Sequence, residues 1–182
     1  MISMAAVSLF LPFLPMLAKQ VLLNNFLSDI PAMGIAGDHV DREWESTPHR
    51  WDIGFVRNFM IVFGLVSTVF DMLTFGVLWK LVGDTPELFR TGWFVESLLT
   101  ELFIIFVIRT FKPFYQSRPG RFLRWSAMAI VFVTVLLPYL PMASLMGFRP
   151  LPPAVMGAIF LICSLYLAVS ESTKRMLYRK IH

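Results

Sequence analysis

An all-α, polytopic transmembrane helix bundle is the fold class this sequence predicts, with six helices of which the first is incomplete. Three observations predict it. The 182 residues are 57% hydrophobic and only 15% charged, with a mean hydropathy of +0.68, whereas a soluble domain carries about 25% charged residues. The apolar residues are gathered into six runs, five of which reach the ~20 helical residues that cross a bilayer core. Twelve of the 16 basic residues fall in alternate connections, as the positive-inside rule requires of a multi-spanning chain.

The first run, Ile2 to Leu14, is too short to cross, and Pro12 and Pro15 shorten its useful helix further. No basic segment precedes it and no small-residue cleavage site follows, so a signal peptide is not favoured. The expectation is a chain that begins partway through a membrane helix. The second run extends from about Met16 to Ala36, the third from Phe55 to Val82 and the fourth from Gly92 to Ile108. The fifth covers Phe122 to Leu145 and the sixth Leu151 to Ser170. Pro141, Pro150, Pro152 and Pro153 bracket the turn between the last two. One bundle over residues 1–182 follows, with a polar loop at 38–54 and a basic tail at 171–182. Only Lys19, Lys80, Arg90 and Arg149 lie on the opposite side from the other basic residues, which puts the loop, the tail and both termini in the cytoplasm.

Composition also excludes several function classes. Cys163 is the single cysteine and sits among Leu161, Ile162 and Leu165, so a buried, inert thiol is expected rather than redox or metal chemistry. The net charge of +4 comes from short basic blocks between apolar runs, a pattern that does not point to nucleic acid. His39, His49 and His182 all lie outside the apolar runs. No zinc spacing, nucleophile–base pair or phosphate-cradling glycine loop occurs. Trp51, Trp79, Trp93 and Trp125 fall near run ends, where indoles anchor helices at the interface. Lys174-Arg175 and Arg179-Lys180 suit an anchor on anionic lipid. The loop between the second and third runs reads as a solvated linker or as a docking surface for a cytoplasmic domain.

The informative residues are the acids inside the runs. An intramembrane carboxylate costs roughly 2.5–3.5 kcal/mol to insert on translocon scales, and Asp29, Asp71, Glu96 and Glu101 all fall within predicted spans. At ~1.5 Å rise per residue, Asn25 and Asp29 lie roughly 13–20 Å deep, Asp71 roughly 16 Å and Glu101 roughly 14 Å. Three acids on three helices thus share the midplane, while Glu96 is nearer the outer surface and is expected to meet water. Asn25, Ser28 and Asp29 are spaced i, i+3 and i+4 on one helix, and such residues project from one face. Pro31, Gly34 and Gly37 weaken the helix just beyond, and unwound helices with freed carbonyls line midplane ion sites in transporters. Asn25, Ser28, Asp29, Asp71 and Glu101 are therefore the candidate metal ligands. Oxygen donors of this kind suit hard cations such as magnesium, calcium, sodium or a proton. Hydrogen bonding between helices is the competing role, above all for Asp71 and Ser28.

The run Leu11-Pro12-Phe13-Leu14-Pro15-Met16-Leu17, followed by Leu23-Asn24-Asn25-Phe26-Leu27-Ser28-Asp29-Ile30, resembles the fifth and sixth membrane helices of P-type cation ATPases. Trp44 to Asp52, Phe70-Asp71, Thr91 to Ser97, Ile108-Arg109-Thr110 and Arg149-Pro150-Leu151-Pro152 are similar to the magnesium-translocating branch. The resemblance implies helices five to ten of such a pump, in a bacterial plasma membrane, with magnesium as the transported cation and no cofactor bound by this chain alone. It implies cation contacts from Asn25, Ser28 and Asp29, and from Glu101 at an acidic position of the eighth helix. The sequence has no Asp-Lys-Thr-Gly phosphorylation motif, so the chain by itself is not expected to hydrolyse ATP. Its partners would be the lipid bilayer and the remaining pump domains. A stand-alone scaffold or regulatory subunit without transport activity is the alternative, and an independent six-helix transporter a third.

Overall fold

The computed structural model describes residues 2–38, 53–83, 85–110, 113, 114, 116, 117 and 119–178. Residues 39–52, which make up nearly all of the loop with the docking-surface expectation and include the Trp44–Asp52 segment with Trp51, lie outside the described residues, as do the three histidines and the last four residues of the tail. Among the described residues there are six α-helices and no strand. They are α1 (Ile2–Ser8), α2 (Ala18–Met33), α3 (Ile53–Val82), α4 (Pro86–Ile108), α5 (Arg121–Leu136) and α6 (Pro153–Tyr178). Short 3₁₀ helices follow α2 at Gly34–Gly37 and α5 at Leu137–Tyr139, and a third covers Ala143–Met146. The last four helices, α5 with its 3₁₀ extension, are long and apolar enough to cross a membrane. The all-α bundle expected from the sequence is the fold found.

Element ends depart from the apolar runs for identifiable reasons. The regular part of α2 is 16 residues, about 24 Å, because Pro31 removes a backbone donor and the chain tightens into Gly34–Gly37. Adding that 3₁₀ turn at ~2 Å per residue brings the segment to about 32 Å, the thickness of a bilayer core. The fifth run was expected to be helical to Leu145, but α5 stops at Leu136. Pro138 and Pro141 interrupt its ladder, and Gly147 then turns the chain at φ +76°, a conformation that favours glycine. Conversely, α4 starts at Pro86, whose missing N–H costs nothing in a first turn. The final helix α6 continues through the polar residues to Tyr178.

The central helix is α4, which packs against α2, α3, α5 and α6, while α1 lies on α3 and α2 on α5. Phe89, Phe94, Val95, Leu98, Leu99 and Leu102 of α4 are fully buried. Trp93 joins them, stacked on Phe89 at 5.8 Å and 2% exposed. It is a core residue and not the interfacial anchor its position near a run end suggested. Trp79 and Trp125 do point outward. Leu65, Val69 and Leu73 on α3 and Met128 and Phe132 on α5 are exposed, as lipid-facing side chains are.

Polar contacts tie the helix ends. At one end Gln20, fully buried, accepts from the Leu17 N–H at 2.9 Å and donates to the carbonyls of Met146 and Gly147. At the other end Asp38, just past the 3₁₀ turn, pairs with Arg109 and accepts from the Gly120 N–H at 2.5 Å. Arg109 also donates to the Ser117 carbonyl at 2.8 Å. Lys174 is buried there, 3.0 Å from Glu171 and donating to the Val107 carbonyl at 3.0 Å. This corrects the lipid-anchor expectation for Lys174: α6 continues past it to Tyr178, and the side chain is turned onto the Val107 carbonyl of α4. Arg175, half exposed, keeps the outward position.

Candidate cation site

Midway along the bundle, α1, α2, α3, α4 and α6 leave a cavity of about 300 Å³. Its polar lining comes from Ser3, Asn24, Asn25, Ser67, Asp71, Ser97, Thr100, Glu101 and Tyr166. Met4, Met16, Val21, Trp93 and Ile104 supply the apolar remainder. Two carboxylates face this space, and among the described residues no Lys, Arg or His lines it. A cavity of that sign with low-dielectric walls concentrates cations.

Each carboxylate is held by a neighbouring helix. Asp71 on α3 accepts a hydrogen bond from the Ser3 hydroxyl of α1. Glu101 on α4 accepts from Asn24 Nδ2 of α2 at 2.9 Å. Ser67 and Tyr166 share a hydrogen bond at 2.9 Å between α3 and α6. Thr100 turns its hydroxyl back onto the carbonyls of Glu96 and Ser97, as helical threonines do when they lack a better partner.

The structure distributes the sequence-derived ligands unevenly. Asn25, Asp71 and Glu101 meet at the cavity. Ser28 is buried and donates to the Asn25 carbonyl at 3.1 Å. Asp29 is exposed and is not among the lining residues. The reason is the helical register of α2. Gln20, Asn24, Leu27, Ser28 and Pro31 form its buried face, whereas Leu22, Asn25, Phe26, Asp29 and Met33 lie on the uncovered side. Residues four apart share a face, but at 100° per residue Ser28 falls across the boundary from Asn25 and Asp29.

Sequence reasoning missed Asn24, although a signal was present. Gln20, Asn24 and Ser28 recur every fourth residue and mark the polar stripe that enters the bundle. Ser97 and Glu101 on α4, and Ser67 and Asp71 on α3, repeat the same i, i+4 spacing. Ser3 had no signal of this kind, since a lone serine in a short apolar run is uninformative.

Glu96 overturns its expectation. It is fully buried instead of meeting water, because α4 is enclosed by other helices along this stretch. Thr74 on α3 is set beside it, and among the described residues neither Glu96 oxygen has a hydrogen-bond partner within bonding distance and angle. Cys163 is also fully buried, as expected, and sits in the same core. No group of three or more His, Cys, Asp or Glu side chains suited to holding a metal ion occurs among the described residues. Any ion in the cavity must therefore draw on amides, hydroxyls or its own water beside the two carboxylates.

The family model for the C-terminus of cation-transporting ATPases matches residues 13–176. Over 98% of this chain, the sequence is 37% identical to "Magnesium-transporting ATPase, P-type 1" of Salmonella typhimurium strain 14028s. It is 36% identical over the same share to the protein of that name from Escherichia coli K12. The chain spans about a fifth of the length of these relatives, 20% in each case.

Proposed function

This chain belongs to the family of cation-transporting ATPase C-termini, and from that premise we propose that it forms part of the membrane pathway of a P-type pump, with magnesium as the cargo. The observation that carries this reading is that Asp71 and Glu101 line one polar cavity in which no described basic side chain stands. Magnesium dehydrates reluctantly, keeps several waters and is held through one or two carboxylates. Six waters at about 30 Å³ each need about 180 Å³, within the cavity of about 300 Å³. Two carboxylates, two amides and several hydroxyls suit such a hydrated ion better than a bare one.

In this scheme Asp71 and Glu101 bind the cation, with Asn25 at the rim. Ser3 fixes Asp71, and Asn24 fixes Glu101. Ser28 stands beside Glu101 within the bundle. Asn25 and Asp29, on the uncovered side of α2, face helices supplied by the rest of the pump, where Asp29 completes the ligand set. Release follows when α2 moves relative to those helices and the ion loses one wall of its site. The phosphorylation and nucleotide-binding steps belong to the other pump domains. The end of the bundle holding Asp38 and Arg109 faces the cytoplasm of a bacterium, as the distribution of basic residues favours.

The test is magnesium uptake by the complete protein carrying this chain, reconstituted in liposomes. Glu101→Gln and Asp71→Asn are each expected to raise the magnesium concentration for half-maximal uptake by about 10- to 100-fold, the worth of one contact to a charged group. Unchanged half-saturation in both variants, with protein correctly inserted, removes the cavity from the pathway.

A further inference from the structure

The amide of Asn24 is only half used. Its Nδ2 donates to Glu101 at 2.9 Å, and an ionised carboxylate accepts but cannot donate, so this contact decides which end of the amide faces α4. The Oδ1 is thereby turned away from Glu101. It is buried and has no hydrogen-bond partner among the described residues, on a side chain that is 7% exposed and lines the cavity. No hydroxyl of the described residues bonds this oxygen: Ser28 donates to the Asn25 carbonyl, Thr100 bonds its own helix and Ser67 bonds Tyr166. A buried acceptor without a donor is costly and calls for an explanation. Beside a cavity flanked by two carboxylates, the partner that fits is a cation or the O–H of a water held on one.

We infer that Asn24 supplies an oxygen to the magnesium ion or to its hydration water, in addition to orienting Glu101. This rests on the assignment of the cavity as the cation site. It also divides the labour of two adjacent amides. Asn24 works from the inner face of α2, and Asn25 stands at the rim on the uncovered side. Glu101 then does not act alone on α4: the amide that holds it offers the ion a second, neutral oxygen in fixed geometry. Neutral donors beside few charges suit an ion that must later be released.

The experiment is a double-mutant cycle on magnesium uptake by the complete reconstituted protein. It compares Asn24→Leu, Glu101→Gln and the double variant, with Asn24→Ala in place of leucine should the larger side chain not fit. Asn24→Leu is expected to raise the half-saturating magnesium concentration about tenfold. The double variant is expected to be weaker again than Glu101→Gln alone, since the amide oxygen acts on the ion and not only through Glu101. Thermal unfolding without magnesium gives the structural readout. A lowered unfolding temperature with unchanged half-saturation would make Asn24 a helix contact only and overturn the inference. A double variant no weaker than Glu101→Gln overturns it as well, reducing Asn24 to a positioning residue. If Glu101→Gln and Asp71→Asn have no effect, the cavity assignment itself falls. If they act and Asn24 does not, this inference alone falls.

Discussion

Removing the carboxylate of Asp38 tests how the bundle is held at the end where α2, α4 and α5 meet. The Asp38 and Arg109 side chains are 6% and 2% exposed, and Asp38 also receives the Gly120 N–H. Glycine at 120 permits this approach, since a Cβ there would stand 3.1 Å from Asp38 Oδ1. Asp38→Ala leaves a buried guanidinium without its counter-charge, a loss of about 3–5 kcal/mol. It also orphans a backbone donor, at about 1–3 kcal/mol. Among the described residues Arg109 then keeps only the Ser117 carbonyl, so the expected destabilisation is about 4–8 kcal/mol. Asp38→Asn, which can still accept from Gly120, should fall between alanine and wild type. The double variant Asp38→Leu with Arg109→Met should recover most of the loss, because apolar replacement of a whole buried pair is often neutral or better. Arg175→Ala is the control: that side chain is 52% exposed in its pair with Glu171, and about 1 kcal/mol or less is expected. Reversible unfolding in mixed micelles, followed by tryptophan fluorescence, measures all four. A cost below about 1 kcal/mol for Asp38→Ala would mean that the pair behaves as a surface contact and would refute the reasoning.

Three further outcomes are expected. Lys174→Met should lower stability, since it strips buried Glu171 of a partner and the Val107 carbonyl of a donor; a variant that lost only affinity for anionic vesicles would restore the lipid-anchor role. Glu96→Gln should leave insertion and unfolding within about 1 kcal/mol of wild type or improve them, because among the described residues neither carboxyl oxygen has a well-formed hydrogen bond to lose and the amide can still meet Thr74; a large loss of stability would reveal a partner for Glu96. Cys163, fully buried in the core, should react with a membrane-permeant maleimide only after unfolding, and rapid labelling of the native bundle would contradict its placement.

Much of the fold was legible because membrane insertion writes itself into composition. Length and apolarity marked α3, α4, α5 and α6, and prolines marked the ends of α2 and α5. Which face of each helix turns inward was harder to see. Lipid tails and helix cores are equally apolar, so Leu98 in the core and Leu65 on the surface look alike in sequence. Only polar residues betray the inner face, and they did so for Asp71 and Glu101. For α2 the spacing of Asn25, Ser28 and Asp29 was read as one face, when the stripe through Gln20, Asn24 and Ser28 is the one that enters the bundle. Glu96 and Trp93 were misplaced for a shared reason: proximity to a helix end says nothing about neighbours, and α4 is enclosed even near its start. Lys174 was drawn into a basic tail because its buried acceptors lie 67 residues away in sequence for Val107 and one turn away for Glu171.

The most direct test is a cryo-EM map of the complete protein in lipid nanodiscs with saturating magnesium. Density for a hydrated ion between Asp71 and Glu101, with the Asn24 side-chain oxygen turned toward it, is the expected result. A cavity closed by side chains, with no ion density at either Asp71 or Glu101 even where an ion contacts Asp29, would contradict the account.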